Sequence, residues 1–136
     1  MLAKLGLIAA LALAADEPEL AFLHEDENGD RHYAIISPHG YDGWSSRSPI
    51  GAKQIWTKTV LAVVDESGVH TATTEWRILC DDKAFMLSAI RYYDENGKQI
   101  GSDYHTGHHR RKNYDPYAVP SLISKVADIA CDETSD

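Results

Sequence analysis

Three histidines lie within five residues in the C-terminal third of this 136-residue chain. His105, His108 and His109 share a segment with Gly107, and neutral imidazoles bind zinc, copper, nickel and haem iron. Asp103 just upstream would add an oxygen ligand. The spacing therefore makes these residues candidates for a zinc or haem site, and no other cofactor is expected.

Two other interpretations of this segment stay open. The histidines can belong to a solvated polar turn in which they never meet, because local composition alone is weak evidence for a metal site. Alternatively, Arg110, Arg111 and Lys112 follow directly and form a cationic patch that suits a sulfated sugar or another anion.

Aromatic residues mark a second candidate site, in residues 37–49. Eight of these 13 residues are Ser, Gly or Pro, which predicts a long loop. Tyr41 and Trp44 on this loop are typical of side chains that anchor a protein or sugar partner. The alternative is that Trp44 folds back and covers the sheet.

Catalytic motifs are missing from the sequence. It contains no G-x-S-x-G elbow, no H-E-x-x-H motif and no P-loop. Its Asp and Glu residues cluster in predicted turns, where exposure to solvent explains them. We therefore predict that the protein is not an enzyme.

Composition indicates one globular domain with an acidic surface. Hydrophobic residues make up 43% and charged residues 25%, and 13 Lys and Arg against 21 Asp and Glu give a net charge of −8. That charge argues against nucleic acid or an anionic membrane as a partner of the whole domain. The sequence does not indicate an oligomeric state.

The N-terminal residues resemble a signal peptide. Lys4 precedes an apolar run that ends at Ala12-Leu13-Ala14, the layout of a secretory signal with its cleavage site. We expect residues 1–14 to be removed, residues 15–136 to form the domain, and the mature chain to have no transmembrane anchor. A buried N-terminal helix is the alternative.

Export changes the interpretation of the two cysteines. In an oxidising compartment, Cys80 and Cys131 are expected to form a disulfide. Two buried free thiols are the alternative.

Strand-like runs separated by turn residues fill most of the mature chain. They cover residues 19–24, 31–37, 53–64, 69–80, 83–93 and 98–104. A turn at Asp81-Asp82 would pair Ile78 with Phe85, Trp76 with Leu87, and Thr74 with Ala89. Pro120-Ser121 opens the one predicted helix, which ends by Cys131.

This order of features resembles the bacterial surface-adhesin protein E-like family. The features are a strand with a central Trp (Lys53 to Trp56), a strand that ends in Cys80, a Tyr-Tyr-Asp-x-x-Gly turn (Tyr92 to Gly97) and Val119-Pro120-Ser121 before the helix. The resemblance covers residues 21–131. The family usually has Pro-Gly-Ser before the helix, and the Gly is absent here.

The resemblance implies an α+β fold, in which one antiparallel sheet of about six strands carries a C-terminal helix whose end is tied to the sheet by the disulfide. It also implies an exported adhesion or binding domain, in the periplasm or at the cell surface, with an extracellular protein or an anionic polysaccharide as partner. A periplasmic metal- or haem-binding protein that uses the His105–His109 loop is the alternative function.

Overall fold

A computed structural model describes residues 19–36 and 50–132. Six strands follow each other along the chain, and each pairs antiparallel with the next; they are β1 (Glu19–Glu25), β2 (Arg31–Ile36), β3 (Lys53–Val60), β4 (Thr71–Leu79), β5 (Ala84–Tyr93) and β6 (Gln99–Tyr104). The two-residue strand β7 (Asp115–Pro116) also pairs with β5, and the helix α1 (Leu122–Ala130) ends the described chain. The predicted α+β fold is confirmed, with the short seventh strand added.

Helix α1 packs on one face of the sheet because apolar residues alternate along the strands. Ile55, Ile78 and Val126 are completely buried in the core between sheet and helix, and Trp76 is 9% exposed there. Period-two alternation directs the neighbours of Ile78 to the opposite face. The sheet thus has a helix face and an opposite face.

Ser121 begins the helix as predicted. Its hydroxyl accepts a hydrogen bond from the Ser124 N–H (3.0 Å), while its own N–H donates to the Ser124 hydroxyl (2.8 Å). This capping box satisfies backbone donors that the first helical turn leaves unpaired. The helix stops at Cys131, its C-terminal cap.

The predicted disulfide between Cys80 and Cys131 is present. The two Cα atoms lie 5.8 Å apart, and 51 positions separate the cysteines in sequence. The bond joins the end of α1 to the turn that follows β4, and it leaves no free cysteine.

Two sequence predictions about the strands are wrong. Ile78 pairs with Phe85 and Trp76 with Leu87 as expected, but Thr74 pairs with Ile90 instead of Ala89. A bulge opposite Glu75 and Trp76 inserts one extra residue into β5 and shifts every later pair.

The strand predicted for residues 53–64 ends early, at Val60. The Leu61 N–H still donates to the His70 carbonyl at 2.9 Å, but the Ala62 N–H donates to the Asp30 carboxylate at 2.9 Å. Val63, next in the chain, is 78% exposed.

The predicted signal peptide and the loop that carries Tyr41 and Trp44 lie outside the described residues. Within residues 19–36 and 50–132, no helix has the length and hydrophobicity needed to cross a lipid bilayer.

Candidate functional site

The histidine segment lies against the face of the sheet opposite α1. The His105 N–H donates to the Ser88 carbonyl at 2.9 Å, which holds the start of the segment on β5. At its other end Tyr114 is buried in a second apolar cluster with Leu79 and Met86, both on this opposite face. Strand β7 then pairs with the first residues of β5. Residues 105–114, which we call the histidine loop, are therefore attached to β5 at both ends.

Gly107 fixes the shape of the histidine loop. Its φ of +91° lies in the left-handed region, and a Cβ at this position would clash with the Asn113 side-chain amide. That amide donates to the Gly107 carbonyl at 2.9 Å, and the Arg110 N–H donates to the same oxygen at 3.0 Å. The Tyr114 hydroxyl donates to the His108 carbonyl at 2.6 Å. These bonds join Gly107 to Arg110 and Asn113, and His108 to Tyr114, so the two halves of the loop are tied together.

Beneath the histidine loop is a cavity of about 360 Å³, which we call the cationic cavity. This volume lies within the usual range for ligand pockets. Strands β4 and β5 form its floor, and β6 and the loop form its walls. Its lining residues are Glu75, Arg77, Ser88, Ala89, Arg91, Tyr104, His105, Thr106, Gly107, His108 and His109.

The floor of the cationic cavity contains an ion pair that is nearly buried. Arg77 donates through Nε and Nη2 to Oε1 of Glu75, at 3.2 and 3.1 Å, and the two side chains are 11% and 13% exposed. Glu75 also accepts hydrogen bonds from the Ser88 hydroxyl and the Gln54 amide. Both carboxylate oxygens of Glu75 therefore have hydrogen-bond donors, as a side chain this well buried requires.

Arg91 supplies the second guanidinium of the cavity. Its guanidinium carbon lies 4.9 Å from the ring centre of Trp56, a cation–π contact. Arg91 also lowers the pKa of the Tyr104 hydroxyl, and both side chains line the cavity. The Trp56 ring therefore supports Arg91 on one side.

The electrostatic environment of His108 is positive. Burial is the largest cause that lowers its pKa, and the charges of Arg77 and His109 lower it further, while Glu75 acts in the opposite direction. Two guanidiniums against one carboxylate leave a net positive charge in the cavity even when the imidazoles are neutral. An acidic protein therefore contains a local site suited to anions.

The structure brings the three candidate histidines to one cavity without forming a ligand set. The rings of His108 and His109 meet edge to face with centres 6.1 Å apart. Asp103 accepts a hydrogen bond from the Tyr92 hydroxyl at 2.8 Å. Among the described residues, no group of three or more His, Cys, Asp or Glu is arranged to hold a metal ion. A zinc or haem site at His105, His108 and His109 stays a prediction.

The three cations of the predicted patch differ in their surroundings, and anion binding by them stays a prediction. Arg111 forms an ion pair with Asp82 at the turn between β4 and β5. Arg110 and Lys112 are exposed, and none of the three residues lines the cationic cavity.

A second cavity, of about 410 Å³, lies beside the first on the same face. Its lining includes Leu20, Ile35 and Tyr93 together with Lys58 and Thr73, and we call it the apolar cavity. Thr73 pairs directly with Arg91, so the two cavities adjoin across one strand pair. The face opposite α1 thus offers an apolar and a cationic region side by side.

Comparison with known protein families, with curated proteins and with solved structures finds no match to this chain. The resemblance to the surface-adhesin protein E-like family accordingly stays a prediction.

Sequence reasoning missed the arginines of the cavity. Arg77 stands between two apolar residues of β4, and Arg91 follows the largely apolar first part of β5, so neither position predicts more than an exposed charge. The one available signal was the position of Glu75 two residues before Arg77, because residues i and i+2 of a strand share a face.

Proposed function

We propose that this chain is an exported, non-enzymatic binding domain of the adhesin type that recognises an extracellular protein or an anionic polysaccharide. One observation carries the proposal: the apolar and cationic cavities adjoin on the sheet face opposite α1. Binding sites typically combine an apolar contact area with a few well-placed polar groups on a rigid framework.

Other features support a binding role over catalysis. Both cysteines are in the disulfide, so the chain offers no thiol nucleophile. The disulfide is also consistent with export to an oxidising compartment. The acidic side chain of the cationic cavity, Glu75, is already engaged by Arg77, Ser88 and Gln54, an arrangement that suits a structural role.

Binding of the purified chain to immobilised extracellular-matrix proteins and to immobilised dextran sulfate tests the proposal. We expect saturable binding to at least one of these surfaces. Leu20→Ser should weaken protein binding about tenfold, because Leu20 lines the apolar cavity and is 42% exposed.

Val63→Ser is the matched control, since Val63 is an exposed aliphatic residue that lines neither cavity. A wild-type chain that binds none of the surfaces would contradict the proposed function.

A further inference from the structure

The geometry points to the cationic cavity as an oxyanion site that takes the sulfate or carboxylate group of an anionic polysaccharide. The inference rests on the proposed function, because it assigns a ligand class to one of the two cavities. It differs from the sequence prediction, which placed anion binding at Arg110, Arg111 and Lys112.

Arg77 presents a guanidinium at the floor of the cavity. A guanidinium has five N–H donors in a rigid planar fork, and Glu75 accepts from Nε and Nη2. Glu75 thus fixes the orientation of Arg77 while the side chain still lines the cavity. Planar forks of this kind match the oxygens of carboxylate and sulfate groups.

Arg91 faces the same space from the neighbouring strand. The cation–π contact with Trp56 restricts its side chain before any ligand arrives, so less conformational entropy is lost on binding. An anion between Arg77 and Arg91 would meet two positive charges that the fold already holds in position. His108 and His109 lie at the loop side of the same cavity.

The walls favour a sugar over an acidic peptide. Tyr104 is 63% exposed, and Thr106 also belongs to the cavity lining. An aromatic ring packs against the apolar side of a sugar, and hydroxyl groups pair with sugar hydroxyls. Poly-glutamate, an acidic peptide, has no sugar ring to pack against Tyr104.

Titration of the purified chain with dextran sulfate, neutral dextran and poly-glutamate tests the assignment. We expect binding of dextran sulfate that weakens as salt is added, and much weaker binding of the other two polymers. Arg91→Met should weaken dextran sulfate binding about tenfold or more, because the charge is lost while a side chain that can contact Trp56 remains.

Two control variants remove the same charge elsewhere. Arg110→Met removes an exposed cation of the histidine loop that does not line the cavity, and Arg31→Met removes one on β2 that pairs with Glu25. Both should bind within about twofold of the wild type, as expected for cations outside the site. Equal losses in all three variants would indicate attraction by net charge and overturn the site, as would a loss in Arg110→Met alone.

A further measurement needs no variant. Dextran sulfate in the cavity should raise the pKa of His108 in an NMR titration, because a nearby anion stabilises the imidazolium. An unchanged pKa at saturation would overturn the assignment, and equal binding of poly-glutamate would overturn the sugar class. A wild-type chain that binds neither dextran sulfate nor matrix protein would instead contradict the proposed function itself.

Discussion

Glu75 and Arg77 form an ion pair whose contribution to the stability of the fold depends on both partners. Charges this well buried cost several kcal/mol to remove from water, so each needs the other. We predict that Arg77→Met lowers the free energy of unfolding by about 3–5 kcal/mol, because Glu75 is left charged and without its cation. Urea denaturation measures the change.

The double variant Glu75→Gln with Arg77→Met tests whether the unpaired charge of Glu75 causes the loss of stability. It should recover at least about 1 kcal/mol relative to Arg77→Met, since a neutral amide needs no counter-charge and can still bond to Ser88. A double variant less stable than Arg77→Met would show that the ion pair is not the cause.

His108 makes the stability of the protein sensitive to acid. Its pKa is lowered in the folded state by burial and by Arg77 and His109, so below pH about 6.5 the unfolded chain binds a proton that the folded chain resists. The contribution of His108 is therefore full at neutral pH and is lost as the pH falls below that value.

We predict that His108→Gln reduces the loss of unfolding free energy between pH 7.5 and pH 5.5. Denaturation of both proteins at the two pH values measures it, and His24→Gln, on β1, serves as the control. The same loss in wild type and His108→Gln would contradict the prediction.

At the residue scale, prediction from sequence succeeded where a residue type carries local information and failed where contacts are distant. Ser121 was correctly placed before the helix because a hydroxyl caps its own first turn. Nothing near Arg91 in the sequence indicates that Trp56 lies under its guanidinium, since 35 positions along the chain separate them. The cationic cavity exists only once β3, β4 and β5 are aligned.

At the scale of elements, one tyrosine, Tyr114, anchors the histidine loop to the sheet. The Tyr114 ring is buried with Leu79 and Met86, and its hydroxyl donates to the His108 carbonyl. We predict that Tyr114→Phe lowers the free energy of unfolding by about 1 kcal/mol, since packing is kept and one hydrogen bond is lost. Amide hydrogen exchange should quicken in residues 105–114.

Tyr117→Phe is the control for the loss of unfolding free energy in Tyr114→Phe. Tyr117 packs against the helix-face core, and its hydroxyl makes no hydrogen bond among the residues the structure describes. A Tyr117→Phe variant destabilised as much as Tyr114→Phe would remove the hydroxyl as the explanation.

In the β4–β5 pair, the sequence predicts the register near the turn correctly but does not predict the bulge. Alternation of apolar residues correctly set the register near the turn, because one face of both strands is buried against α1. The bulge was missed because its partner is distant: the Ser88 hydroxyl bonds to both the carboxylate and the carbonyl of Glu75 on the facing strand. Strand β7 was missed for the same reason, since its pairing depends on where Tyr114 is buried.

Across the whole molecule, the disulfide and the proposed binding surface lie on different faces of one sheet. The helix face holds the larger core and the disulfide, while the opposite face holds both cavities. This separation predicts that a change at the helix end alters stability much more than it alters the cationic cavity.

Removal of the disulfide tests that separation. Closing a loop of 51 positions restricts the unfolded chain, and its loss should lower the free energy of unfolding by roughly 4 kcal/mol. In the variant Cys80→Ala with Cys131→Ala, hydrogen exchange should quicken in α1, while the amides of β4 and β5 keep their order of protection. The His108 pKa should stay below its ordinary value, because the burial and charges that lower it lie on the other face. A His108 pKa that returns to about 6.5 in this variant would show that the two faces are coupled.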